Sequence, residues 1–299
     1  MIWGKEYWDV SFRNEEMSVI CNGESAGVTF EEYVSRYGAS VIGTDFIGKR
    51  FPLLVKVIKT WDILSVQVHP DDVYARLKGG TDTGKNEAWY IITPPTDGYL
   101  IIGLKDNVTK DELKKANENG TIESCLNKLK VKEGDLVNIP SGLVHALTPG
   151  AVIAEIQQNS DITYRLYDYN RVDANGNSRE LHIEDALKVA DFENKIPKTI
   201  VPEGGLLYTI SGVNKKIHMI SNDYFNVYKY TLFKEMIEKS NAKAFCLLTC
   251  VSGEVKISTQ DYSLNLQGNQ TCLIPAGIEK YILNPAKKGA VVLKTVPGV

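Results

Sequence analysis

Short apolar runs separated by turn residues dominate the first half of the chain: PLLVKVI at 52–58, ILSVQV at 63–68, AWYIIT at 88–93, YLIIGL at 99–104, DLVNIP at 135–140 and AVIAEIQQ at 151–158. Runs of this length, rich in branched and aromatic side chains, predict the strands of a sandwich or barrel. Two stretches break the rhythm with a helical period. TKDELKKANENGTIESCLNK opens on Thr109 as a helix cap and forms an insert at about 107–128. HIEDALKVA at 182–190 carries apolar positions at Ile183, Ala186, Leu187 and Ala190 and reads as a helical connector. From about residue 205 the strand rhythm returns with FNVYKYTLF, AFCLLTCVSGEVKIS and NQTCLIPAGIEKYIL.

EGDLVNIPSGLVHAL (133–147) and QGNQTCLIPAGIEKYIL (267–283) share a glycine, a short apolar run and Pro-x-Gly. Three residues past the last glycine, the first copy has His145 and the second Lys280. A repeat in which one copy keeps its imidazole predicts two barrels, one chemically active and one structural. The expected organisation is a metal-binding catalytic domain over 1–190 and a degenerate second domain without metal over 191–299.

At 299 residues the chain is long enough for two domains, and 43% hydrophobic with 24% charged residues is the balance of a globular protein. A formal net charge of -3 argues against nucleic acid or an acidic membrane as partner, so an anionic ligand would need a local basic pocket. The five cysteines, Cys21, Cys125, Cys246, Cys250 and Cys272, form no disulfide-like pattern and read as reduced thiols. The N-terminal MIWGKEYWDVSF carries charges where a signal peptide is apolar, and no stretch approaches a membrane span. The expected compartment is cytoplasmic, with the chain a monomer or homodimer.

In SVQVHPDD, Gln67 and His69 are two apart, so on a strand both side chains share one face. Glu87 opens a later strand and His145 follows Pro140-Ser141-Gly142. Imidazole and carboxylate are common ligands of divalent first-row metals, and an amide oxygen can add a contact. Only four histidines occur, and two of them fall in this pattern; His182 beside a helix start and His218 read as ordinary polar residues.

The order Q-x-H-P-D-D, then G-K-x-E-x-W-Y, then G-x5-P-x-G-x2-H resembles the type I mannose-6-phosphate isomerases, the zinc-dependent phosphomannose isomerases of the cupin superfamily. FPLLVKVIKTWDILSVQVHPDD, GKNEAWYII and EIQQNSDITYRLYDYNR followed by GNSRELHIEDAL carry the resemblance, which is dense over 51–190 and fades after 200. It implies a mainly β fold of two cupin (jelly-roll) β-barrels and interconversion of mannose-6-phosphate and fructose-6-phosphate through an enediol. It further implies one Zn(2+) per chain on Gln67, His69, Glu87 and His145, with Arg165 and Lys85 in the active site. Lys56 and Ser65 match positions that bind the substrate's phosphate, a point charge and a hydrogen bond respectively.

Such a reaction needs an electrophile, a base and a clamp. Glu155, ten residues before Arg165, and a Lys85 of depressed pKa are both candidates for the base, and Asp161 is an orienter of Arg165. Two other classes share the ligand types: a metal-dependent cupin dioxygenase and a non-catalytic sugar-binding cupin regulator. The lysine and serine beside the ligand strand weigh against the first, and Arg165 and Lys85 against the second.

Overall fold

A computed structural model describes residues 2–173, 175–193, 200–201, 206–210 and 213–298. Strands arise where the sequence alternates or runs apolar: β1 (Gly4–Val10), β2 (Leu53–Thr60), β3 (Val66–Val68), β4 (Glu87–Thr93), β5 (Tyr99–Leu104), β6 (Leu126–Lys130), β7 (Leu136–Ile139), β8 (His145–Ala146), β9 (Val152–Gln158) and β10 (Tyr164–Tyr167). Later come β11 (Ile200–Val201), β12 (Leu206–Ile210), β13 (Asn214–Ser221), β14 (Phe225–Leu232), β15 (Met236–Lys239), β16 (Cys246–Ser258), β17 (Ser263–Gln267), β18 (Gln270–Ile274) and β19 (Lys280–Pro297). The helices are α1 (Phe30–Tyr37), α2 (Ala39–Ile42), α3 (Asp72–Leu77), α4 (Lys110–Glu118) and α5 (Ile183–Val189). The chain is mainly β, and no helix among the described residues is long and apolar enough to cross a membrane.

The chain divides into two units, one of residues 1–7 and 58–200 and one of residues 8–57 and 201–299; β1 and β2 run across the division. The sequence boundary near 190 leaves out this exchange of the N-terminal segment. Its physical basis is backbone pairing: Thr44 N–H donates to Ala242 O at 3.1 Å, and Ala276 N–H to Val41 O at 3.0 Å. Gly43, at φ 91°, fits where a Cβ would stand 2.1 Å from the carbonyl oxygen of Lys243, so only glycine allows that approach.

A five-stranded sheet of the first unit runs β10-β3-β8-β5-β6, and a six-stranded sheet runs β1-β2-β9-β4-β7-β11. Thr109 caps α4 in a complete capping box with Glu112, as the sequence predicts, but the helix stops at Glu118 and the end of the expected insert at 128 falls inside the strand β6. Leu113 and Ala116 of α4 and Ala186 and Leu187 of α5 pack with Val66, Val68, Val144, Ala146, Tyr164 and Leu166 in one cluster. Because side chains alternate along a strand, this apolar face commits Gln67, His145 and Arg165 to the opposite face.

In the second unit the sheet order is β12-β13-β14-β19-β16-β17, with β15 on β19 and β18 on β16. Within it Glu238 is paired with Lys294 at 2.7 Å and Lys216 at 3.3 Å and accepts from Tyr230 at 3.0 Å, which offsets the cost of burying the charges. The two sequence repeats fold alike locally. Leu143 N–H donates to Pro140 O at 3.2 Å and Ile278 N–H to Pro275 O at 3.0 Å, each closing a Pro-x-Gly turn between two strands. His145 after the first turn is buried, whereas Lys280 after the second is exposed.

Candidate metal centre

The five-stranded sheet aligns Arg165, Gln67 and His145 in one row, since Gln67 is the register partner of both Arg165 on β10 and His145 on β8. Partners across a ladder share a face. Glu87 comes from the other sheet, and the two sheets meet through these side chains. Glu87 Oε2 lies 3.6 Å from His69 Nε2, and Glu87 Oε1 lies 3.5 Å from His145 Nε2. The three ligand atoms all lie within 4.8 Å of one another.

Each imidazole is oriented from behind. His69 Nδ1 is 2.8 Å from the Ile162 carbonyl and His145 Nδ1 is 2.8 Å from the Leu143 carbonyl. A carbonyl can only accept, so the ring proton sits on Nδ1 and the Nε2 lone pair points toward Glu87. Burial pushes His145 down to about 4, against the lesser pull of its Leu143 hydrogen bond, so the ring is neutral and ready to ligate at neutral pH.

Glu87 is fully buried and neither carboxylate oxygen has a hydrogen-bond partner of good geometry. Two imidazole lone pairs converge on this sealed carboxylate with no donor between them, a cost that a divalent cation held by all three removes. Ligand atoms of a tetrahedral site with bonds of roughly 2.0–2.2 Å stand roughly 3.3–3.6 Å apart, so this donor set fits a divalent ion. Gln67 is the remaining predicted ligand; its Nε2 is 3.3 Å from His145 Nε2. Ser65, buried, donates from Oγ to Gln67 Oε1 at 3.4 Å.

The motif residues around Glu87 have a packing reason. Asp71 caps α3 by accepting from Tyr74 N–H at 2.7 Å, and Asp72 Oδ1 accepts from Gly84 N–H at 2.8 Å. Gly84 passes so close that a Cβ would stand 2.5 Å from Asp71 and Asp72 backbone atoms. The H-P-D-D and G-K-x-E segments are thus locked together, and β4 begins with Glu87 facing inward.

Lys85 Nζ sits 3.2 Å from Glu87 Oε2, nearly inaccessible to solvent. Burial alone would lower its pKa, but the carboxylates of Glu87, Glu155 and Asp161 outweigh it and the pKa rises. This corrects the sequence expectation of a depressed lysine: in the metal-free protein Lys85 is firmly cationic. Glu155 is buried on β9, and its Oε1 accepts from the Trp89 indole N–H at 2.9 Å. Trp89 also packs edge-on against the His145 ring, with centroids 5.3 Å apart at 84°.

Arg165 donates from Nη1 to the Glu180 carbonyl at 2.7 Å. Its backbone is clasped by His182, whose N–H donates to Arg165 O at 2.8 Å while Nδ1 accepts from Arg165 N–H at 3.3 Å. Asp168, three residues past Arg165, is engaged by Arg171 at 2.5 Å and by Arg179. Lys56 belongs to the second unit, where it is buried with Nζ 4.4 Å from the Trp8 ring centroid. The sequence reading missed Trp89 and gave His182 no role. Trp89 stands in the G-K-x-E-x-W-Y motif, and its two-residue spacing from Glu87 puts both on one face.

Comparison with known proteins bears on this centre. The model of the phosphomannose isomerase type I catalytic domain matches residues 4–98, and that of the mannose-6-phosphate isomerase cupin domain matches residues 214–293. The chain is 37% identical over 278 residues to the probable mannose-6-phosphate isomerase GmuF of Bacillus subtilis, covering 93% of this chain and 85% of that one. It is 32% identical to a mannose-6-phosphate isomerase of Streptococcus mutans, covering 92% and 84%. The crystal structure of the mannose 6-phosphate isomerase from Bacillus subtilis superposes with a TM-score of 0.86 at 30% identity, over 97% of this chain and 88% of that one. A putative mannosephosphate isomerase from Archaeoglobus fulgidus shares the fold, with a TM-score of 0.78 at 19% identity, over 98% and 88%.

Proposed function

The chain belongs to the type I mannose-6-phosphate isomerases, and from that premise we propose a zinc-dependent mechanism built on His69, Glu87 and His145. It is an isomerase that interconverts mannose-6-phosphate and fructose-6-phosphate, with a sugar phosphate as substrate. The carrying observation is the convergence of two Nε2 lone pairs on a buried carboxylate across two sheets. Gln67, beside His145 in the same row, is the proposed fourth ligand through its amide oxygen after rotation of the amide. Borderline nitrogen and oxygen donors of this kind suit zinc. Bound there, zinc supplies a Lewis acid that polarises the sugar's oxygens.

The chain's own residues do the remaining work. Glu155 is the proposed base that takes the proton from C2 and returns it at C1, and the Trp89 indole N–H holds it by one carboxylate oxygen. Lys85, cationic, and Arg165, held by Glu180 and His182, stabilise the negative charge that develops on the enediolate oxygens. Lys56 and Ser65 are proposed for the phosphate on the strength of the family resemblance and of their donor chemistry.

The test is a coupled assay for conversion of mannose-6-phosphate to fructose-6-phosphate on protein as purified, after chelator treatment, and after return of zinc, manganese or cobalt, with metal content measured alongside. Activity lost with the chelator and best restored by one zinc per chain is expected. Full activity in metal-free protein would overturn the metal role, and best recovery with manganese or cobalt would overturn zinc.

A further inference from the structure

Gln157 is wholly buried on β9 and is the register partner of Glu87, so it stands on the ligand-bearing face. Its Nε2 donates to two carbonyl oxygens, those of Gln158 at 2.9 Å and Ser160 at 2.6 Å. Both partners can only accept, so the amide has one chemically sensible orientation and the remaining atom is oxygen. That oxygen takes no hydrogen bond from the described residues and is closed to a water-sized probe, so a substrate hydroxyl reaches it only as the side chains lining the site part. A buried carbonyl oxygen held rigidly without a donor is costly in the free protein, and the cost is recovered only when a donor arrives.

We propose that Gln157 Oε1 is a substrate-positioning acceptor that takes a hydrogen bond from the C3 or C4 hydroxyl of the open-chain sugar phosphate. The inference rests on the isomerase reading and deepens it. The acceptor must meet an O–H or N–H group. The phosphate end, mostly dianionic at neutral pH, offers acceptors and is repelled by an amide oxygen, whereas the carbon chain offers hydroxyl donors. The neighbouring row, Trp89 with Glu155, addresses the reacting carbons, and Gln157 beside Glu87 addresses the next part of the same chain. A site that hydrogen-bonds a hydroxyl through a group otherwise unsatisfied discriminates strongly against the deoxy analogue.

The experiment measures kcat/KM of the metal-loaded enzyme for mannose-6-phosphate and for its 3-deoxy and 4-deoxy analogues, in wild type and in Gln157→Met, with metal content recorded. Wild type is expected to lose about tenfold or more on one analogue. Gln157→Met, which keeps the side-chain length and removes the acceptor, is expected to lose less than about twofold further on that same analogue. Its deficit with mannose-6-phosphate itself should fall mainly on KM. Equal losses with each analogue in both proteins would overturn the proposal, because a purely structural glutamine has no reason to couple to one hydroxyl. The wild-type arm stands even if the variant folds poorly: if wild type turns over both analogues as well as the parent, the proposal fails. Absence of turnover of mannose-6-phosphate by zinc-loaded wild type would overturn the isomerase reading and the proposal together, a result distinct from turnover without discrimination.

Discussion

Lys85→Met should make the protein bind its metal more tightly while making the metal-free form less stable. In the metal-free protein the ammonium is the countercharge of a fully buried carboxylate at 3.2 Å. At an effective dielectric constant of about 20 that pair attracts by roughly 5 kcal/mol. Removing one partner of a buried pair costs about 3–5 kcal/mol, because the other charge is left uncompensated. In the loaded protein a divalent cation supplies that compensation, and Lys85 becomes a like charge beside it. Most of the cost of the substitution therefore falls on the metal-free state. Closing the cycle, even about 1.4 kcal/mol of this difference corresponds to a tenfold tighter metal. The methionine keeps the apolar stem, so packing changes little. Competition against a chelator of known affinity should show at least about tenfold stronger binding. Melting of the metal-free form should fall on the order of 5–10 °C, with a smaller change in the loaded form. Turnover should fall as well, since Lys85 is proposed to stabilise the enediolate. Unchanged or weaker metal affinity, with equal loss of melting temperature in both forms, would refute the electrostatic argument.

Trp89→Phe keeps an aromatic ring against His145 but removes the indole donor to Glu155; a hydrogen bond to a charged group is worth about 1.5–3 kcal/mol. kcat should drop roughly 10- to 100-fold with metal content unchanged and a larger deuterium isotope effect at C2; parallel loss of metal and activity would show a merely structural role. In the second unit, burial raises the Asp9 carboxyl to about 6, against the hydrogen bond from Thr271. A raised acid means the folded chain keeps a proton that the unfolded chain has released, so stability falls as pH rises from about 4 to 6. Asp9→Asn should therefore stabilise at pH 7.5 by about 1–2 kcal/mol, discounted because the side chain is partly exposed, and by little at pH 4; equal effects at both pH values in denaturant titrations would contradict this. Cys21 is exposed, whereas Cys125, Cys246 and Cys250 are buried, with the Cys250 thiol pushed up to about 11 by burial. A thiol reagent should modify Cys21 fast and those three only on unfolding; rapid modification of a buried thiol in native protein would show local opening.

Much of the candidate centre was legible because its signals are local. The two-residue spacing of Gln67 and His69 fixes a shared face, and His145 after Pro-x-Gly is placed by a turn whose geometry needs no distant information. The Thr109 cap and the helical period over 182–190 were likewise readable, and the structure keeps both. Neither the charge state of Lys85 nor the anchor of Arg165 could be read this way. The first depends on three carboxylates from separate segments, and the second on the Glu180 carbonyl and His182, brought back by the chain beyond β10.

The sequence by itself determined the strands at Gln67, His69 and Glu87 and the face those side chains take, because the two-residue period of a strand and the chemistry of its turns are written in neighbouring residues; the strand β6, inside the stretch read as helical, was not legible this way. Only the tertiary structure decided that Arg165, Gln67 and His145 form one row, that Glu87 meets the histidines from the opposite sheet, that Trp89 holds Glu155, and that residues 8–57 join the second unit. Backbone hydrogen bonds between strands are the same for every residue type, so strand order and register are selected by burial and charge compensation over the whole fold, not by any local pattern.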